Sequence, residues 1–338
     1  MTTLYISMDT GGSLLKATGS KGKSPPTCIA IEPEVIPVVR KPTLHLLERS
    51  LDPTRWAWVS VNGDQYAVGA LAREEYRATI PLVKPKIDYF IPRTLATVAA
   101  YAYHFNTRSF DLYLSCLLPP AEYKSLNMRD LEEKLRGALS SYSTLFADIK
   151  ANLKQLKVFP EGLGLLKHYH QYRGDLPERV LVVLFGHRNI SLFEMNSGVC
   201  RHFNSCDRGF ASILPKLSDT LNLSSRECLA QSSQWATDER SRDVIQEYWH
   251  SIESWLTEHI PPETDEVVIG GGAVVWLRQE IIYFFHSRLP LLDGRDYPGI
   301  FFDGGFKDKD WSPSIQLDPQ LRVRFADSYL NWRYNYGS

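Results

Sequence analysis

The sequence is poor in sulfur and has no long apolar run. Its five cysteines, Cys28, Cys116, Cys200, Cys206 and Cys228, form no Cys-x-x-Cys pair. None has a histidine at zinc-ligand spacing, so reduced thiols are expected in place of a disulfide framework or zinc module. No stretch approaches the roughly 18 consecutive apolar residues of a membrane span. The opening MTTLYISMDT lacks the charged-then-apolar order of a secretory signal, and a cytoplasmic chain is expected. An excess of one charge is also missing. Lys and Arg number 38 against 39 Asp and Glu, a formal net charge of −1. No long run of either sign occurs, which excludes broad electrostatic binding to nucleic acid or anionic lipid. Contact with DNA or a membrane is expected only through a partner.

What is present is an ordinary globular composition, 43% hydrophobic and 23% charged over 338 residues. That length supports two lobes, each with its own core. Leu4–Met8 reads as a strand that ends at Asp9-Thr10-Gly11-Gly12-Ser13 and resumes at Leu14–Thr18, a hairpin. Residues 19–26 read as a solvated loop, with further strands around 29–39 and 56–68. Residues 92–105 carry Leu95, Val98, Ala99, Ala102 and Phe105 at helical spacing. Asp111–Leu118 is a buried strand closed by Pro119-Pro120, and a helix of alternating charge follows over 127–139. A short strand, Leu156–Phe159, ends at Pro160-Glu161-Gly162, with a helix from Leu163. Val180–Phe185 is a strand apolar on both faces, and Ile190–Phe193 a second one after a turn. Helices are expected over 208–221, started or kinked at Pro215, and over 241–259. Strand Glu266–Ile269 then turns at Gly270-Gly271-Gly272 into an apolar helix, and aromatic-rich residues 321–336 are expected to pack back on one lobe.

Three of these turns carry candidate chemistry. Asp9-x-Gly11-Gly12-Ser13 with Lys16 makes a compact anion site. The glycines let backbone N–H groups approach a phosphate, Ser13 adds a hydroxyl and Lys16 a point charge. Asp9 is a Mg²⁺ ligand candidate through water, because Mg²⁺ dehydrates reluctantly. Gly270, Gly271 and Gly272, between strand and helix, make a second anion or nucleotide contact; a close-packed turn explains them equally well. Glu161, after a strand and a proline, has the placing of a base or water-orienting acid, or of a helix-start acid. Gly186, His187, Arg188 and Asn189 form the turn of the second hairpin and offer positive charge to a phosphate. His168-x-His170 reads as a solvated pair.

The order of these parts resembles the actin-like ATPase superfamily, and within it the ParM/StbA group of bacterial actins. The resemblance rests on the DxGxxxxK hairpin, PEG after a strand, the second hairpin, GGGA and the stretch IDYFIPRTLATVAAYAYHF followed by FDLYLSCLLPPAEY. It implies an α/β, ribonuclease H-like, two-lobed fold with a nucleotide cleft. Lobe I would take 1–163 with the C-terminal helix 319–338, and lobe II 164–318. It also implies ATP with Mg²⁺, leaving ATP and GTP undistinguished. Asp9, Gly11, Gly12, Ser13 and Lys16 would form the first phosphate hairpin, Gly186 to Asn189 the second, Gly270–Gly272 the adenosine contact, and Glu161 would orient the attacking water. Self-assembly into filaments and an adaptor of the ParR type follow from the same likeness.

One position departs from the group. Where an acid commonly helps Asp9 hold the metal, this chain has Leu184. Nucleotide binding is expected to survive with altered hydrolysis. The other classes that the residues admit are a cell-shape or cortical filament, a small-molecule kinase and a non-hydrolysing nucleotide sensor.

Overall fold

The computed structural model describes residues 2–42, 52–79, 85–174, 177–230, 238–291 and 299–337. The chain divides into two units, Met1–Gly164 with Lys307–Ser338, and Leu165–Phe306.

In the first unit β1 (Thr2–Thr10), β2 (Leu15–Lys21) and β3 (Thr27–Ile31) form an antiparallel meander, followed by β4 (Val35–Pro37), β5 (Ala57–Val61) and β6 (Asp64–Val68). Helices α1 (Ala70–Tyr76) and α2 (Phe90–His104) precede β7 (Ser109–Leu118). Then come α3 (Pro120–Ser125), α4 (Met128–Ser140), β8 (Tyr142–Thr144) and β9 (Asp148–Pro160). The sheet runs β3-β2-β1-β7-β9-β8-β5-β6-β4, with β1, β7 and β9 parallel at its centre. Parallel neighbours put their C-terminal ends on one edge, so the residues after β1, β7 and β9 meet there. Val98, Tyr101 and Leu95 of α2 are fully buried in the core of this unit.

Two sequence expectations change. Residues 19–21 are strand, and the loop shrinks to 22–26, because the Tyr101 hydroxyl, 2.8 Å from the carbonyls of both Ala17 and Thr27, shares its one proton between them and ties β2 to β3. The short strand at 156–159 is the end of a thirteen-residue strand. Its polar–apolar alternation shifts phase at a bulge, where Leu153 faces Leu112 but Gln155 faces Tyr113. A single alternating template therefore fails across Lys154.

The second unit begins within α5 (Leu163–Arg173) and continues through β10 (Arg179–Phe185), β11 (Ile190–Asn196) and β12 (Val199–Cys206). Helices α6 (Leu214–Leu221, with Pro215 in its first turn), α7 (Ser225–Ala230) and α8 (Glu239–His259) lead to β13 (Glu266–Gly270), α9 (Val274–His286) and β14 (Gly299–Phe302). The sheet order is β12-β11-β10-β13-β14, with β10, β13 and β14 parallel. Its core centres on Phe185, Trp249, Ile252, Ile269 and Phe285. His168 is not solvated as the sequence suggested: it is buried, its ring edge-on to Phe306 at 5.2 Å. The last helix, α10 (Pro319–Tyr336), returns to the first unit, where it lies on β1 and β2 with Phe325, Tyr329 and Trp332 buried.

Candidate functional site

The first hairpin is closed by the pairs Asp9–Lys16 and Thr10–Leu15, leaving Gly11–Leu14 as its loop. Space there is tight. A Cβ on Gly11 would stand 2.5 Å from the Leu14 carbonyl oxygen and 3.3 Å from Lys16 Cε. The loop thus keeps a backbone cradle that a side chain would fill. Gly11→Ala is expected to weaken nucleotide binding at least about tenfold, read by titration with a fluorescent ATP analogue; unchanged affinity would remove this loop from the phosphate site.

At the C-terminal edge of the central strands four charged side chains converge. Asp9 ends β1, and its carboxylate is paired with Lys16 and, at 3.0 Å, with Lys86. Lys86 also bonds the carboxylate of Glu161, which follows β9. Lys86 and both carboxylate side chains are at most 13% exposed. Burial pushes the Asp9 carboxyl up, but the Lys16 and Lys86 ammonium groups more than offset it and hold the group down at about 2. Glu161 goes the other way: burial raises it, Lys86 offsets only part, and Asp9 adds to the rise. Burial would lower Lys86, yet Asp9 and Glu161 together hold it charged, above the ordinary lysine range. Two neighbouring carboxyls driven apart in this way suit two tasks, one permanently anionic and one able to take a proton.

The sequence reading missed Lys86, and with it the residues that hold the cluster. Glu122, in the first turn of α3, accepts 3.2 Å bonds from the backbone N–H groups of Lys86 and Ile87. The PPAEY end of β7 therefore fixes the segment carrying Lys86. The Glu161 N–H donates to the Leu118 carbonyl at 2.8 Å, joining the ends of β7 and β9. From α10, Arg324 donates to Ser13 Oγ at 2.7 Å, and the Asp327 carboxylate accepts from the N–H groups of Gly162 (2.6 Å) and Gly164 (2.9 Å). Burial raises the Asp327 carboxyl to about 7, its N–H donors offsetting part, with Asp9 and Glu161 adding to the rise. Nothing in VKPKIDYF marks Lys86 as a buried residue. The α10 residues did leave a signal, polar side chains at 324, 327 and 331 within an aromatic helix, the spacing of one face.

In the second unit the turn Gly186–Asn189 is closed by Phe185–Ile190 and Leu184–Ser191 pairs, the same four-residue loop as the first hairpin. Leu184 therefore holds the position equivalent to Asp9, one pair back from the loop. The carbonyls of Gly186, His187 and Arg188 accept from the N–H groups of Phe210, Ala211 and Gly209, and Arg188 reaches Asp207 at 4.0 Å. Asn189 is buried. Because β10 and β13 are parallel neighbours, the turn after β13 lies beside it: Ala273 N–H donates to the Phe185 carbonyl, and Gly271 takes φ +101°. The fold thus brings Asp9, Ser13, Lys16 and Glu161 together in the first unit, and Gly186–Asn189 with Gly270–Gly272 in the second. Leu184 is 8% exposed and pairs with Gly270, its Cδ2 3.1 Å from where a Cβ there would stand. An acid at 184 would be buried between Ser191 and Gly270, and burying an uncompensated carboxylate is costly. Leu184→Asp is expected to lower the melting temperature by several degrees without speeding nucleotide hydrolysis; faster hydrolysis at unchanged stability would contradict this.

Among the described residues no group of three or more His, Cys, Asp and Glu stands ready to hold a metal ion, and no helix is long and apolar enough to cross a membrane. The donor set nevertheless suits Mg²⁺, which takes one or two carboxylates and completes its shell with water and phosphate oxygens. Asp9, kept ionised beside the glycine loop, has the charge that such a carboxylate requires.

Two α/β units, each built around a glycine-turned hairpin beside parallel strands, define the actin-like fold. The architecture is that of ParM structures. Bacillus thuringiensis ParM with ATP is similar over 98% of both chains at 13% identity, with a TM-score of 0.65. ParM in a 15-stranded filament from Clostridium botulinum is similar over the whole of both chains, at 13% identity and a TM-score of 0.62. An archaeal actin homologue is similar over 99% of this chain and 100% of its own, at 14% identity and a TM-score of 0.62. At such identities the likeness is one of fold. No protein-family model matches the sequence, and no curated protein matches it.

Proposed function

We propose that this chain is a nucleotide-dependent, filament-forming actin-like ATPase. The observation that carries the reading is the cluster of Asp9, Lys16, Lys86 and Glu161 beside the Gly11–Leu14 cradle, at the strand edge where α/β folds place ligands. In this reading the N–H groups of the loop, Ser13 and Lys16 hold phosphate oxygens. Gly186, His187, Arg188 and Asn189 supply the second phosphate turn, and Gly270, Gly271 and Gly272 line the base and sugar. Asp9 holds Mg²⁺ through water, and when bound the ion neutralises charge on the phosphates. Glu161, its carboxyl raised by burial, accepts a proton from the attacking water. Lys86 counters the negative charge that gathers between the two carboxylates.

Likeness of fold to ParM in a filament supports head-to-tail stacking, since repeated heterologous contacts generate an open helix. Net charge near zero supports a link to DNA or membrane through an adaptor of the ParR type, in the cytoplasm, with no direct contact. Positioning a plasmid and scaffolding the cell cortex differ only in that adaptor.

The test is 90° light scattering with phosphate release, on the purified chain with Mg-ATP, Mg-ADP, Mg-GTP and a non-hydrolysable ATP analogue. Scattering is expected to rise with ATP and to fall as phosphate appears, and to persist with the analogue. Tight ATP binding with flat scattering would replace this reading with a nucleotide sensor. Turnover that requires an added sugar or other small alcohol would replace it with a kinase.

A further inference from the structure

α10 presents three polar side chains on one face, Arg324, Asp327 and Asn331, and each reaches a different part of the chemical edge. Arg324 bonds Ser13 in the phosphate loop. Asn331 donates to Ser7 at 2.9 Å and Ser115 at 3.1 Å, which are register partners on β1 and β7. Of the three side chains, that of Asp327 hydrogen-bonds the turn that carries Glu161. Its two oxygens take separate N–H groups, one on each side of Leu163: Oδ2 from Gly162, Oδ1 from Gly164. The approach is close enough to require glycine at 164, where a Cβ would stand 2.7 Å from Asp327 Oδ1 and 2.9 Å from the Asn331 nitrogen. Gly162, at φ +89°, turns the chain between Glu161 and the helix start.

This geometry has a chemical consequence. Glu161 sits on the last residue before a reversal, and its own backbone is anchored on the strand side only through Leu118. The other side of the turn is held by Asp327. Without that carboxylate the two N–H groups lose their acceptor, and the backbone at Glu161 is held from the strand side alone, with Lys86 as the remaining bond on its carboxylate. A shift of about 1 Å in a water-orienting group is enough to cost two orders of magnitude in rate.

We infer that Asp327 is a positioning residue for hydrolysis, a two-point clamp from the C-terminal helix that aims Glu161 without touching nucleotide. This rests on the ATPase reading above and names which residue outside the phosphate loops sets its rate. The charged groups that act on Asp327 include Asp9 and Glu161 on the strand edge. Neither of them supplies the two acceptors that the turn needs.

The experiment is a double-substitution cycle on the full chain, with phosphate release, ATP affinity and thermal melting measured on each member. Asp327→Asn keeps one carbonyl acceptor and places an N–H₂ group where the second stood. It is expected to slow hydrolysis at least tenfold while ATP affinity stays within threefold and the melt within a few degrees. In the Glu161→Ala background the same substitution is expected to change hydrolysis by less than twofold, because a residue acting only through Glu161 has nothing left to aim. Asp327→Ser, shorter and uncharged, is expected to give the same split. A purely structural role would move melting, affinity and rate together, and in both backgrounds alike; that pattern overturns the clamp, as does failure of both variants to fold. If the wild type binds ATP but releases no phosphate, it is the ATPase reading that fails; if the wild type hydrolyses and Asp327→Asn matches it, only the clamp fails.

Discussion

Replacing Glu161 with Ala is expected to cut nucleotide hydrolysis by about a hundredfold or more while leaving ATP affinity within a few-fold of the wild type. The magnitude follows from the role. A positioned proton acceptor contributes roughly 10²–10⁴ in rate, and Glu161 is the carboxyl of this cluster whose environment favours taking a proton. On the proposed reading affinity is spared because phosphate would be held by Ser13, Lys16, the loop backbone and the second turn, none of which the substitution touches. On the filament reading, scattering of the variant with ATP rises and holds its plateau. The measurement is single-turnover phosphate release beside a binding titration. A rate within threefold of wild type would take Glu161 out of the chemistry and leave it as the helix-start acid that its sequence context equally allows.

Replacing Lys86 with Met has the largest expected effect on stability. The substitution keeps most of the volume and removes the cation that bonds both Asp9 and Glu161. Asp9 retains Lys16, but Glu161 is left beside another carboxylate with its direct partner gone. Breaking a buried ion pair by removing one member costs about 3–5 kcal/mol, or roughly 10 °C in melting temperature for a unit of this size. The pH dependence has a definite sign. A carboxyl raised in the folded state contributes stability at low pH that is lost as the pH rises through its folded value. Removing Lys86 raises Glu161 further, so the deficit relative to wild type should widen between pH 5 and pH 8. Asp9 behaves oppositely in the wild type. Held at about 2, it contributes stability above about pH 4 that is lost as the pH falls toward 2. Melts at pH 5 and pH 8 decide the matter, and a variant within 2 °C of wild type at both would place Lys86 outside the network.

The parts that were legible in the chain are those whose physics is local. A glycine turn after an apolar strand, as at Gly11 or Gly270, needs only backbone freedom and a run of β-formers, and both are visible in a few residues. Leu184 was legible as a departure because the second hairpin repeats the first, and the shared four-residue loop gives it the hairpin position that Asp9 holds in the first. What Leu184 does instead, packing over Gly270, depends on a strand some 80 residues later and could not be read locally.

By itself the sequence determined the α/β order, the two hairpins, the acids at 9 and 161 and a net charge near zero. Tertiary structure alone decided that Lys86 joins those two acids, that Glu122 holds Lys86 in place, and that Arg324 and Asp327 arrive from the last helix to brace both loops. The reason is the parallel arrangement of β1, β7 and β9. It gathers strand ends that lie about a hundred and fifty residues apart onto one edge, and charges there shift one another's proton affinity only once burial has removed the water between them.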